Sequence, residues 1–140
     1  MNRKDFFKTS ALALVGLAIG PSLLESCAKS GTSPQGPSAN FTLDLSAAAN
    51  AALNHVGGYI YSNGVIVTRV STADLGFVAV AQSCTHQGCT IAYNSGIQTF
   101  VCPCHGGTYD LNGNVTGGPP PSPLTKYAVT RTNNILTVKG

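Results

Sequence analysis

Cys84-Thr85-His86-Gln87-Gly88-Cys89 and Cys102-Pro103-Cys104-His105-Gly106-Gly107 are the stretches on which the reading of this chain turns. Each offers two thiols and one imidazole, at Cys-x-His spacing in the first and Cys-x-x-His in the second, and fifteen residues lie between His86 and Cys102. Sulfur and nitrogen donors gathered twice at such short range are the equipment of a metal site. Two plainer readings use the same residues. Four cysteines in an exported domain can make two disulfides, or Cys and His together can bind zinc. Neither explains why both stretches carry a histidine at ligand spacing, and zinc sites more often show paired Cys-x-x-Cys.

The segment from Ser83 to Ser122 differs from its flanks: it holds four of the five cysteines, two of the three histidines and four of the eight prolines. On either side the pattern is β. Phe41–Leu45 alternates, Val65–Val70 and Gly76–Val80 are β-branched and apolar, and Asn63-Gly64 after Tyr59–Tyr61 is a hairpin signal. Further strands are expected at Thr90–Tyr93, Gln98–Val101, Lys126–Arg131 and Ile135–Val138, the last two joined through Asn133-Asn134, and Ala47–Leu53 reads as a helical turn. The chain has room for one core. The expectation is an all-β domain over residues 41–140, an antiparallel β-sandwich or barrel-like base with residues 83–122 inserted as a small loop-built subdomain.

Charge excludes one class of partner. The formal net charge of +3 owes much to Arg3, Lys4 and Lys8, and from Cys27 onward five Lys or Arg stand against three Asp. No basic patch is left for nucleic acid.

The two cysteine-histidine stretches resemble the cluster-binding boxes of the Rieske family, and the resemblance runs from about Phe41 to the C-terminus. It implies the Rieske fold and one 2Fe-2S cluster, with Cys84 and Cys102 as thiolate ligands of one iron and His86 and His105 as imidazole ligands of the other. It also implies a disulfide between Cys89 and Cys104, the mark of the quinol-linked branch, which an exported protein can keep. The residue types carry their own logic. Two thiolates cancel the positive charge of a ferric core, whereas four leave a dianion, so the mixed cluster is reduced more easily, at about −150 to +300 mV against roughly −400 mV for plant-type clusters. Reduction places negative charge beside the imidazoles and so favours their protonation, which couples electron uptake to proton uptake. Gly88, Gly106 and Gly107 are read as letting backbone N–H groups approach sulfur, and Pro103 as restricting the turn.

Tyr109 stands where the family places a tyrosine that hydrogen-bonds a ligand cysteine, here Cys84. Gly107 departs from the serine of quinol-oxidising relatives, whose hydroxyl donates to a bridging sulfide; its loss lowers the reduction potential. Gln87 departs from the leucine typical of cytochrome bc subunits, which bears on docking to a cytochrome b-type partner. Gly117-Gly118-Pro119-Pro120-Pro121 resembles the family's proline-rich loop over the cluster, and His55, outside both boxes, reads as a surface or packing residue.

Residues 1–26 have the layout of an export signal: a positive start, an apolar run from Ala11 to Leu24, and a small-residue exit. Arg3-Lys4-Asp5-Phe6-Phe7-Lys8 resembles the twin-arginine motif with lysine in the second arginine's place, and an ordinary secretory signal reads the same letters. Leu24-Glu25-Ser26-Cys27 resembles a lipobox, making Cys27 a lipidation site, although Glu25 departs from it; otherwise Cys27 is an unpaired thiol or the leader stays as the anchor. Residues 27–40, rich in Ser, Gly and Pro, read as a flexible tether. These features imply an extracytoplasmic, membrane-anchored electron carrier of a respiratory chain or an oxidoreductase complex, with no complete catalytic site of its own. Its redox partners would be a cytochrome or a quinol-linked or molybdenum-type enzyme; a quinol-oxidising subunit of a cytochrome bc-type complex is the second reading, and a cofactor-free or zinc-binding surface domain the third.

Overall fold

The computed structural model describes residues 36–140, so the expected export signal, the lipobox-like Cys27 and most of the tether lie outside the described residues. Ten strands are present: β1 (Asn40–Asp44), β2 (Tyr59–Ser62), β3 (Val65–Arg69), β4 (Phe77–Ala81), β5 (Ala92–Asn94), β6 (Thr99–Val101), β7 (Thr108–Tyr109), β8 (Val115–Gly117), β9 (Lys126–Thr132) and β10 (Ile135–Lys139). Six form one antiparallel sheet in the order β1-β10-β9-β4-β3-β2, and four form a second in the order β5-β6-β7-β8. The larger sheet curls, its halves joined where β4 pairs with β9 through Ala79–Tyr127 and Val80–Lys126.

Two cores explain the sequence patterns. Leu43, Leu136, Val138 and Tyr127 from one half meet Val65, Val67, Phe77 and Ala79 from the other. Ile66, Val78 and Val80 point the opposite way and pack with Ile91, Tyr93, Phe100 and Tyr109 of the insertion and with Leu124 just after it. Strands β3 and β4 are thus covered on both faces, which is why they read as unbroken apolar runs. Strand β10, buried on one face, alternates.

Hairpin β2–β3 turns on Asn63 and Gly64, both at positive φ (51° and 78°), as the Asn-Gly pair leads one to expect. The helical turn forms as a 3₁₀ helix, Ala48–Asn54. The strand expected from Gln98 begins at Thr99, because Gln98 is a turn residue at φ 50°. Strands β7 and β8 were not anticipated; at two and three residues they are too short to show a period. They give the insertion a four-stranded sheet from which its two cysteine loops project.

The tether ends sooner than position 40. Gly36 N–H donates to Thr125 Oγ1 (2.8 Å) and the Tyr127 hydroxyl donates to the Pro37 carbonyl (2.6 Å). Ala39 is buried and exchanges backbone hydrogen bonds with Gly140. This docking uses backbone groups, to which the Ser/Gly/Pro composition gives no clue.

Candidate metal centre

Cys84 lies three residues beyond the end of β4, and a bridge between Ser83 and Thr90 closes the base of its loop. Cys102 follows β6 directly, and Gly107 leads into β7. The two loops share one backbone plan. Cys84 N–H donates to Cys89 O (2.7 Å) and Gly88 N–H to Cys84 O (2.8 Å); Cys102 N–H donates to Gly107 O (2.7 Å) and Gly106 N–H to Cys102 O (3.0 Å). Gly88 and Gly106 sit at φ 73° and 70°, where side chains are strained, although open space surrounds both. Their N–H groups serve the cysteine carbonyls. The N–H groups aimed at sulfur belong instead to His86 and Gln87 for Cys84, and to Cys104 and His105 for Cys102. Gly88 and Gly106 supply the turns, and the backbone N–H groups that approach sulfur belong to other residues of the same loops.

Cys89 and Cys104 form a disulfide that links the loops. Cys84 and Cys102 are free thiols, 4% and 1% exposed, so the two-disulfide arrangement does not occur. The sulfurs of Cys89, Cys102 and Cys104 lie within 4.8 Å of one another, but two of them are bonded to each other and have no thiolate to give a metal. The free donors are therefore the buried thiols and the imidazoles. His86 and His105 face each other with Nδ1 atoms 3.3 Å apart and rings nearly perpendicular, at 88°. His105 is exposed and His86 half-buried.

The Tyr109 hydroxyl lies 3.2 Å from Cys84 Sγ, accepts from Thr85 N–H (3.2 Å) and is 3.1 Å from Thr85 Oγ1. Burial pushes the Cys84 thiol up, but the Tyr109 hydroxyl, the two backbone N–H groups and the Cys102 thiol outweigh this and leave it below the ordinary thiol value. Cys102 is pushed up by burial and by its hydrogen bond with the Cys84 sulfur. Burial likewise raises Tyr109, keeping its hydroxyl a donor. Two soft, buried sulfurs and two facing imidazoles on the same pair of loops are donor types that fit a mixed-ligand iron–sulfur cluster.

Gln87 is exposed on the first loop. Gly107 is buried under Pro120, a contact with no mark in the sequence. Thr85 and the Ser122 carbonyl, joined at 2.7 Å, were also missed, because Thr85 fills an unassigned place within Cys-x-His. His55 is exposed and sits at the end of the 3₁₀ helix.

An all-β fold with paired cysteine-histidine loops defines a class of iron–sulfur electron-transfer proteins. Residues 46–128 match the family described as Rieske [2Fe-2S] domain. The chain belongs to that family. It is 41% identical over 69 residues to the cytochrome b6-f complex iron-sulfur subunit of Prochlorococcus marinus (strain MIT 9515), a match covering 49% of this chain and 39% of that protein. The chain thus spans about two fifths of the length of that curated relative. The plasma membrane Rieske protein PetC3 from Synechocystis PCC 6803 superposes with a TM-score of 0.51 at 31% identity, over 59% of this chain and 85% of that one. A chain of a hyperthermophilic respiratory Complex III, 22% identical, shares the fold with a TM-score of 0.50, over 91% of this chain and 98% of that one.

Proposed function

We propose that this chain is a one-electron carrier whose 2Fe-2S cluster is held by Cys84, Cys102, His86 and His105. The observation that carries the assignment is the division of six donors into one disulfide and four free groups, two buried thiols and two facing imidazoles. When bound, the cluster supplies a one-electron couple. The chain's residues do the rest. Backbone N–H groups and Tyr109 steady the thiolates, the disulfide holds the loops in register, and exposed His105 with half-buried His86 offers the edge at which a partner approaches.

The resemblance to cytochrome b6-f subunits favours a second, narrower reading as the iron–sulfur subunit of a bc-type complex. Gln87 at the exposed loop weighs against a leucine-type quinol contact. The export-signal pattern and the disulfide support an extracytoplasmic location, with Cys27 lipidation or the uncleaved leader as membrane anchor. Among the described residues no helix is long and apolar enough to cross a membrane.

The test is iron and labile sulfide content together with the electron paramagnetic resonance spectrum of the dithionite-reduced protein. Two irons and two sulfides with a mixed-ligand signal are expected; colourless protein after anaerobic reconstitution, or zinc in place of iron, overturns the reading. Quinol-dependent reduction or co-purification with a cytochrome separates the bc-type subunit from a free shuttle.

A further inference from the structure

The ring of Pro120 occupies the place a side chain on Gly107 would take. A Cβ at Gly107 would stand 2.5 Å from Pro120 Cγ and 2.9 Å from its Cδ, and a pyrrolidine ring has no rotamer by which to withdraw. Pro120 is buried, whereas Pro119 and Pro121 are exposed, so this proline alone of the three turns inward. The approach is close from the other side too: Gly118, at φ 83°, would bring a Cβ within 2.7 Å of Gly107 Cα. Two backbones meet here with a ring filling the gap between them. The far end of the same loop is tied to the first cysteine loop, where the Thr85 hydroxyl donates to the Ser122 carbonyl at 2.7 Å. The proline loop therefore joins the two cysteine loops by a route separate from the Cys89–Cys104 disulfide.

We propose that Gly107 is the seat of Pro120, and that the missing side chain at 107 is what locks this chain's proline loop onto the Cys102 loop. The inference rests on the ligand assignment above. Gly107 lies beside Cys102 in two ways: its carbonyl accepts from Cys102 N–H at 2.7 Å, and a Cβ on it would touch Cys102 Cβ at 3.7 Å. Both Gly107 and Pro120 act through this packing and are positioning residues. The absence of a serine hydroxyl at 107 gains a new meaning. With proline at 120, a serine side chain at 107 would have to displace its ring.

Pro120→Ala removes Cγ and Cδ, the two atoms that a Cβ at position 107 would strike. A double-variant cycle of Gly107→Ala and Pro120→Ala in the full-length loaded protein is therefore the test, read as the rate of iron release to a chelator and as melting temperature. Gly107→Ala is expected to speed release about tenfold or more through overpacking and local opening. The double variant is expected to release iron no faster than Pro120→Ala alone, with a melting temperature to match. Effects that simply add, or a Gly107→Ala protein like the parent, overturn the seat. If Gly107→Ala does not fold, a folded double variant supports the seat and an unfolded one overturns it. A parent protein without the cluster's visible absorption sinks the ligand assignment, and the melting temperatures then still decide the seat.

Discussion

The Tyr109 hydroxyl oxygen stands 3.2 Å from Cys84 Sγ and 3.1 Å from Thr85 Oγ1, and its single proton can serve only one of them. Thr85 settles the choice. Its own proton is committed to the Ser122 carbonyl, which can only accept, so Thr85 competes for the tyrosine proton as a neutral acceptor. A thiolate is the stronger acceptor, and with Cys84 ionised the tyrosine proton goes to sulfur.

Tyr109→Phe should therefore lower the midpoint potential. A hydrogen bond to a charged group contributes about 1.5–3 kcal/mol, part of which differs between oxidised and reduced clusters. One tenfold change in a one-electron equilibrium is about 59 mV, so a fall of that order is expected. Protein-film voltammetry of parent and variant measures it; an unchanged midpoint would show that the hydroxyl does not engage the cluster's sulfur.

Thr85→Val keeps the branched shape and removes the hydroxyl. The Ser122 carbonyl loses its donor, at a cost of about 1–3 kcal/mol if it stays unsatisfied. Melting temperature should fall, while the midpoint shifts less than in Tyr109→Phe because the hydrogen bond from the Tyr109 hydroxyl to sulfur is retained. Thr85→Ser should restore stability. A Thr85→Val protein as stable as the parent would mean that the threonine adds nothing to the loop.

Asp110 organises the β7–β8 turn that leads into the proline loop. Its carboxylate accepts from the N–H groups of Asn112 (2.8 Å) and Asn114 (2.9 Å) and from the Asn114 amide (3.1 Å). Burial pushes the carboxyl up, but the Asn114 and Asn112 donors and the nearby Lys126 charge outweigh it, holding Asp110 below the ordinary carboxylate range. A depressed folded value contributes stability that is present above the unfolded value and lost as pH falls through the folded one. The contribution is about 1 kcal/mol at most after solvent screening. Melting temperature from neutral pH down to strong acid should fall less steeply for Asp110→Asn than for the parent; parallel curves would remove the carboxylate from the account.

The four donors proposed for the cluster, Cys84, His86, Cys102 and His105, stand out in the sequence by residue type and spacing, and the structure leaves them outside the disulfide. Strands β3 and β4 were legible because burial on two faces leaves unbroken apolar runs. What escaped depends on three-dimensional closeness between segments distant in sequence. Thr85 meets Ser122 across 37 positions, and Gly107 meets Pro120 through shape alone. Strands β7 and β8 are defined by their partners, since two or three residues carry no period. The docked residues 36–40 escaped for a related reason: their backbone groups do the pairing, and a Ser/Gly/Pro composition does not encode it.

The Cys89–Cys104 bond closes a loop spanning 15 residues of sequence and joins the two segments that carry all four free donors. A cross-link of that span stabilises a fold by about 3 kcal/mol in the chain-entropy view. Here the constraint falls mainly on the loops, because the strands beneath them, β4 to β6, are held by their own cores. Cys104 is exposed, so a reductant can reach the bond. The double variant Cys89→Ala/Cys104→Ala should keep its far-ultraviolet circular dichroism at room temperature yet lose visible absorption faster on warming, and reduction of the parent disulfide should reproduce that loss. Equal bleaching rates with and without the bond would mean that the proline loop alone holds the two loops together.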